Sequence, residues 1–317
     1  MKLAMVFPGQ GSQAVAMMDG WSAHPVVRAT FAEASDALGE DLWALVADGP
    51  AEALNLTTNT QPVMLTAGVA AWRAWTAAGG PLPAVVAGHS LGEYTALVAA
   101  GALAFRDAVP LVRFRAQAMQ DAVPAGVGAM AAIMGAPDDD AVIAACAEAA
   151  QGQVVEPVNF NAPGQLVIAG HREAVERAIV LAKAKGAKRG VLLPVSAPFH
   201  SSLLRPAAER LAQRLADVTI LTPTIPVLHN VDVLAHATPE AIRHALAQQA
   251  AQPVRWTATM QALGAQGVTH VVECGPGKVL AGLAKRGIEG VEAYSLTDGD
   301  ALAATLAELQ AVSGNPR

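Results

Sequence analysis

Apolar residues occur along this chain in two alternating patterns, short uninterrupted runs and longer stretches with helical spacing. The runs at 3–7 and 84–88 are apolar throughout or nearly so, which is typical of strands buried on both faces, and a further short strand is predicted at 270–273. Helical stretches separate them, so the chain predicts an α/β domain with a mostly parallel sheet. Further strands are predicted at 225–230 and 292–296, and further helices are predicted from Ser202, Gly277 and Asp300.

The pattern changes between residues 126 and 194. Strands are predicted at 127–134, 154–161, 165–169 and 189–193, and helices at 138–149 and 172–185. This βαββαβ order is that of the ferredoxin-like unit. We therefore predict a ferredoxin-like small domain over 126–194, inserted into a larger α/β domain made of 1–125 and 195–317.

A serine lies in a G-x-S-x-G frame at 88–92, between the strand at 84–88 and an apolar helix at 93–100. A tight strand-to-helix turn exposes the hydroxyl of its serine, and the helix N-terminus supplies N–H groups for a developing oxyanion. Ser90 is therefore a candidate nucleophile, and the larger domain is predicted to be hydrolase-like. The alternative is an ordinary loop between a strand and a helix.

A serine nucleophile needs a base, and His200 is the best placed of the eight histidines. It follows the inserted unit and precedes a predicted helix, which is where this fold type places its base. An acid to orient it is not evident between Ser90 and His200. Arg113 and Arg115 have two interpretations: both are solvated, or the pair supplies a receptor for a carboxylate near the serine.

Composition excludes several classes of function. The chain has 317 residues, 15% of them charged, and a formal net charge of -6, which argues against nucleic acid as a partner. The two cysteines, Cys146 and Cys274, have neither disulfide nor zinc-site spacing. We expect no metal, no cofactor and no membrane span, and a cytoplasmic location.

A second motif, at 7–13, follows the first predicted strand. Gly9 and Gly11 loosely match a dinucleotide-binding fingerprint, but Pro8 interrupts the junction between strand and glycines. The other interpretation is an oxyanion hole, with one N–H from Leu91 after the serine and the second from Gln10 in this neighbouring loop.

Several separated motifs together resemble the malonyl-CoA:acyl-carrier-protein transacylases of bacterial fatty acid synthesis. The matching segments run through nearly the whole chain in the order of the family, at 7–13, 59–62, 88–94, 113–115, 128–131, 158–165, 198–200 and 275–278.

The resemblance implies a role for each matching residue. Ser90 would carry the malonyl group, with His200 as base and then acid. Gln249 would orient His200 through its backbone carbonyl, which would account for the missing acid, and Arg115 would hold the malonyl carboxylate. The remaining residues that the resemblance assigns are Gln10 and Leu91 in the oxyanion hole and Gln61, Met119, Met130, Asn161 and Phe199 in the substrate pocket.

The resemblance also implies the partners and leaves alternatives. Malonyl-CoA would be the donor and the phosphopantetheine thiol of acyl carrier protein the acceptor, and the enzyme would be a monomer. Lys183, Lys185, Lys188 and Arg189 are candidates for docking the acidic carrier, or are simply solvated. The alternatives are a transacylase subunit of malonate decarboxylase, a stand-alone polyketide acyltransferase, a serine hydrolase, and a dinucleotide-binding module.

Overall fold

The structure is a computed structural model that describes residues 1–195 and 197–313. The strands are β1 Leu3–Phe7, β2 Val85–Gly88, β3 Gly128–Met134, β4 Val155–Ala162, β5 Gln165–His171, β6 Arg189–Leu192, β7 Val227–Leu228, β8 His270–Cys274 and β9 Glu292–Leu296. The α-helices are α1 Pro25–Leu38, α2 Leu42–Asp48, α3 Ala51–Leu54, α4 Thr57–Ala77, α5 Gly92–Ala99, α6 Phe105–Asp121, α7 Asp139–Ala150, α8 Arg172–Ala184, α9 Arg205–Ala216, α10 Pro239–Gln249, α11 Trp256–Ala265, α12 Val279–Gly287 and α13 Gly299–Ser313.

The larger sheet has the order β7-β2-β1-β8-β9, and every neighbouring pair in it is parallel. Its central strands β1, β2 and β8 are buried at every position. Met5 and Phe7 of β1 pack into one apolar core, and Ala4 and Val6 pack into another on the opposite face. The predicted α/β domain with a parallel sheet is confirmed, and burial on both faces explains why β1 and β2 have no polar alternation.

The second sheet has the order β4-β5-β3-β6 and is antiparallel throughout. Ala131 and Ile133 of β3 pack under α7 and α8, whereas Met130 lies on the opposite face, in a cluster with Met119 and Phe199. This is the strand order of the predicted ferredoxin-like unit. The domain boundaries at 126 and 194 stay a prediction.

Two predicted elements differ in the structure. The strand expected at 225–230 is reduced to β7, because Pro226 lacks an N–H and the residues after Leu228 turn away from the sheet. The helix expected from Ser202 begins with a 3₁₀ turn at Ser202–Leu204 and becomes α-helical at Arg205. Among the described helices, none combines the length and the apolar character that crossing a bilayer requires.

Candidate active site

Ser90 lies in a sharp turn between β2 and α5. Its φ of 51° is in the left-handed region, which a non-glycine residue adopts only where the surroundings impose it. The flanking glycines leave no room for side chains: a Cβ at Gly92 would lie 2.0 Å from the carbonyl oxygen of Phe7, and one at Gly88 would lie 1.9 Å from the carbonyl oxygen of Gly92. The turn therefore closes only with glycine at these two positions, and it sets Ser90 at the end of β2.

His200 forms the hydrogen bond to Ser90 that the sequence predicts. Its Nε2 lies 2.7 Å from the Ser90 Oγ, and its Nδ1 lies 2.7 Å from the backbone carbonyl oxygen of Gln249. A carbonyl can only accept, so Nδ1 carries the proton and the lone pair of Nε2 faces the serine hydroxyl. Gln249 is the last residue of α10, so its carbonyl has no partner within the helix and is free for the imidazole.

The surroundings keep His200 neutral. Burial, and then the positive charge of Arg115, lower the pKa of His200 to about 3. The imidazole is therefore in its free-base form at neutral pH, and its geometry allows it to accept the serine proton.

The loop after β1 lies against the serine turn. A Cβ at Gly9 would lie 2.5 Å from the carbonyl oxygen of His89, so the glycine permits this close approach. The side chain of Gln10 is fixed by a hydrogen bond of 3.2 Å from its Nε2 to the Thr57 Oγ1. Within the described residues, neither the Gln10 N–H nor the Leu91 N–H donates to a protein acceptor, which leaves both for a ligand.

Arg115 lies on α6 and is only 1% exposed. Its guanidinium donates to the Gln61 Oε1 at 2.8 Å, to the Gln249 Oε1 at 2.8 Å and to the Ser90 Oγ at 3.1 Å. Its Nε has no partner among the described residues, and no carboxylate there is in direct contact with the guanidinium. A buried guanidinium bonded only to neutral groups is costly, so the site is suited to receive an anion next to Ser90.

A cavity of about 90 Å³ lies between these groups. It is lined by Gln10, Gln61, His89, Ser90, Leu91, Arg115, Met119, Val195, Phe199 and His200. Two of the predicted pocket residues are not in this lining: Met130 packs in the apolar cluster behind it, and Asn161 lies in an adjoining cavity of about 230 Å³. The Oδ1 of Asn161 is 2.8 Å from the His89 Nε2, a contact that joins the two sheets at the rim of the site.

Three polar residues of the site were missed from the sequence. The Asn230 Oδ1 accepts from the Ser90 N–H at 2.7 Å, and its Nδ2 donates to the Gly88 carbonyl at 2.7 Å. Glu93 and His229 are fully buried behind the serine turn and bonded to each other at 2.7 Å. The sequence offered one sign of this network, because Glu93 is a charged residue in the otherwise uncharged helix α5.

Two alternatives from the sequence are resolved by the geometry. Arg113 forms a bidentate pair with Glu40, at 2.6 Å for both bonds, and is not part of the cavity lining. A dinucleotide fingerprint requires a helix to begin directly after its glycines. After Gly11 the next α-helix begins only at Pro25, so this interpretation is wrong.

Comparisons with known proteins agree with this geometry. The profile of the acyl transferase domain family matches residues 4–304. The malonyl CoA-acyl carrier protein transacylase of Escherichia coli K12 is 56% identical over 306 residues, which cover 96% of this chain and 99% of that protein.

Solved structures give the same result. The acyl-carrier-protein S-malonyltransferase of Burkholderia pseudomallei superposes with a TM-score of 0.95 at 61% identity, covering 97% of this chain and 100% of that one. A malonyl-transacylase solved in complex with its type II PKS acyl-carrier protein also has a TM-score of 0.95, at 52% identity, with coverage of 97% and 100%. The chain belongs to the acyl transferase domain family and, within it, to the malonyl CoA-acyl carrier protein transacylases.

Proposed function

We propose that this chain transfers a malonyl group from malonyl-CoA to the phosphopantetheine thiol of acyl carrier protein, through a malonyl ester of Ser90. One observation carries this proposal beyond general acyl transfer. The guanidinium of Arg115 is buried, is not paired with a carboxylate, and lies 3.1 Å from the Ser90 Oγ. An acyl group on Ser90 that ends in a carboxylate would reach this guanidinium, whereas an acetyl group would leave it unpaired.

In the first half-reaction, the Nε2 of His200 takes the proton of the Ser90 hydroxyl as its oxygen attacks the thioester carbonyl. The N–H groups of Gln10 and Leu91 stabilise the oxyanion of the tetrahedral intermediate. The intermediate collapses by breaking the carbon–sulfur bond, and the coenzyme A thiolate receives the proton from His200. Malonyl-Ser90 and free coenzyme A result, and the Gln249 carbonyl orients the imidazole throughout.

The second half-reaction reverses these steps with a different thiol. His200 takes the proton of the carrier's phosphopantetheine thiol, and the thiolate attacks the ester of malonyl-Ser90. The Ser90 alkoxide leaves and takes back the proton from His200. Because the acyl group rests on the enzyme between two substrates, this scheme predicts ping-pong kinetics.

The pocket supports selection of malonyl in particular. A bidentate bond from Arg115 to the carboxylate would be worth a few kcal/mol, on the order of 10²–10⁴-fold over an uncharged acyl group. Gln61 and Gln249 fix the guanidinium, and Met119 and Phe199 close the apolar side of the cavity.

The scheme uses only protein groups, so we propose that neither metal nor cofactor takes part and that a monomer is sufficient.

We also propose that the chain divides into a catalytic domain, 1–125 and 195–317, and a small domain, 126–194. For carrier docking we retain Lys183, Lys185, Lys188 and Arg189. Within that set, Lys185 is already paired with Glu148 at 3.0 Å.

Intact-mass measurement after incubation with malonyl-CoA tests the proposed function. We expect wild-type protein to gain the mass of one malonyl group and to lose it again when holo acyl carrier protein is added, with malonyl appearing on the carrier. A serine hydrolase would release malonate steadily without acceptor. Absence of any mass gain, or steady release of malonate, would overturn the proposal.

The pH profile of acylation tests the role of His200. A protonated imidazole cannot take the serine proton, so activity falls as the pH decreases through the pKa of His200 in the free enzyme. Since burial and Arg115 lower that pKa to about 3, we expect kcat/KM for malonyl-CoA to be nearly constant between about pH 5 and pH 8. Initial rates across this range provide the measurement, and a decline centred near the ordinary histidine pKa of about 6.5 would contradict it.

A further inference from the structure

Glu93 is a fully buried carboxylate to which the proposed mechanism gives no role. It lies in the first turn of α5, behind the serine turn. Its oxygens accept from the His229 Nδ1 at 2.7 Å, the Asn230 N–H at 2.9 Å and the Gln249 Nε2 at 3.0 Å. A buried charge is retained only where donors and an opposite charge compensate for its lost hydration, so the position of that opposite charge matters.

The side chain of Gln249 connects Glu93 to Arg115. Its Oε1 accepts from the guanidinium at 2.8 Å, and its Nε2 donates to Glu93 at 3.0 Å and to the Ser90 carbonyl oxygen at 2.9 Å. The orientation of this amide is fixed by its partners, because the reverse orientation would place its NH₂ against the guanidinium and its oxygen against two acceptors. A single amide therefore lies between the carboxylate and the cation.

Two acidic groups, Tyr94 and Glu93, act on the guanidinium of Arg115. Burial lowers the pKa of Arg115, and the acidic groups of Tyr94 and Glu93 oppose this. Burial also raises the pKa of Tyr94 far above neutrality, so its phenol stays protonated. Glu93 remains as the negative charge that stabilises the charged form of Arg115.

Resting on the proposed malonyl transfer, we propose that Glu93 is a positioning residue for malonyl recognition, which forms an amide-bridged ion pair with Arg115 through the side chain of Gln249. A carboxylate in direct contact would pair with the guanidinium and compete with the malonyl carboxylate. One amide away, Glu93 supplies the counter-charge and fixes the guanidinium through Gln249. The cavity side of Arg115 stays free for the substrate.

Glu93→Gln removes the charge and keeps the shape. His229 can shift its proton to Nε2 and accept from the new amide at Nδ1, so the hydrogen bonds are preserved. We expect KM for malonyl-CoA to rise about 10-fold or more while kcat changes less than about 3-fold, because the effect is on a coupled binding interaction. Acylation of Ser90 by acetyl-CoA should change less than about 3-fold, so the malonyl-to-acetyl ratio falls. In an Arg115→Ala background, Glu93→Gln should cause no further change in this ratio.

Glu273→Gln is the matched control. Glu273 lies on β8 and is also fully buried; its carboxylate accepts from the Ala281 N–H in the first turn of α12 at 2.8 Å and has no contact with Arg115. Burial raises the pKa of Glu273 to about 7, so the comparison is made at about pH 8, where its carboxylate is charged. Because burial disfavours the charged carboxylate, Glu273→Gln should not lower the thermal midpoint at this pH, and it should leave the malonyl-to-acetyl ratio unchanged.

Gln249→Met provides a second variant if Glu93→Gln does not fold, since it keeps the backbone carbonyl for His200 and removes the bridge, together with the bond from the Gln249 Nε2 to the Ser90 carbonyl oxygen. It should lower the malonyl-to-acetyl ratio in the same way. Equal losses for both acyl groups in the folded variants, or a persisting effect of Glu93→Gln without Arg115, would overturn the inference. A wild-type protein that forms no malonyl-Ser90 would overturn the proposed function and this inference with it.

Discussion

Ser90→Ala is expected to abolish formation of the acyl-enzyme and to reduce malonyl transfer by about 10⁴-fold or more. The hydroxyl at 2.7 Å from the His200 Nε2 is the group from which this imidazole can take a proton to make a nucleophile in the cavity. Without it, the malonyl group has no covalent acceptor on the enzyme, and the two thiols would have to exchange directly. Intact mass after incubation with malonyl-CoA should show no adduct.

The variant should fold, because the turn around Ser90 is formed by its backbone and its neighbours. The Ser90 N–H is bonded to Asn230 and the Ser90 carbonyl to Gln249, and neither bond uses the hydroxyl. Ser35→Ala is a suitable control: its hydroxyl accepts from the Leu42 N–H at the start of α2 and is not part of the cavity lining, so the malonyl adduct should persist. A malonyl adduct of equal yield on Ser90→Ala would place the acyl group elsewhere and contradict the mechanism.

The sequence predicts those parts of the site that are side chains within recognisable motifs. Ser90 could be found because its turn needs glycines at Gly88 and Gly92, and His200 because it follows a strand and precedes a helix. The group that orients His200 is a backbone carbonyl, which any residue at position 249 could supply. No spacing of acidic residues could therefore have revealed it.

The network behind the serine could not be predicted for a different reason. Glu93 and His229 are 136 positions apart, and they meet only because β7 lies next to β2 in the parallel sheet. The same contacts explain why the strand predicted at 225–230 is short. His229 and Asn230 leave the ladder because they bond Glu93 and the turn at Ser90.

Arg115→Ala is expected to lower kcat/KM for malonyl-CoA by about 10²–10⁴-fold, and to leave acylation by acetyl-CoA largely unchanged. The reason is the position of the guanidinium, 3.1 Å from the Ser90 Oγ and without a carboxylate partner of its own among the described residues. Malonyl would lose a charged, bidentate bond that acetyl never makes. The acid limb of the pH profile should also move to higher pH, because the positive charge of Arg115 helps to lower the pKa of His200.

Arg113→Ala separates this effect from the mere loss of a cation on α6. Arg113 lies two residues earlier on the same helix, but its guanidinium is paired with Glu40, away from the cavity lining. Removing it should cost at most about 1 kcal/mol of stability and leave both acylation rates within about 3-fold of the wild type. The measurement is the rate of Ser90 acylation by malonyl-CoA and by acetyl-CoA in each of the two variants. If Arg115→Ala kept the wild-type preference for malonyl, the carboxylate would have to be recognised by another group, and Arg115 would be left with packing alone.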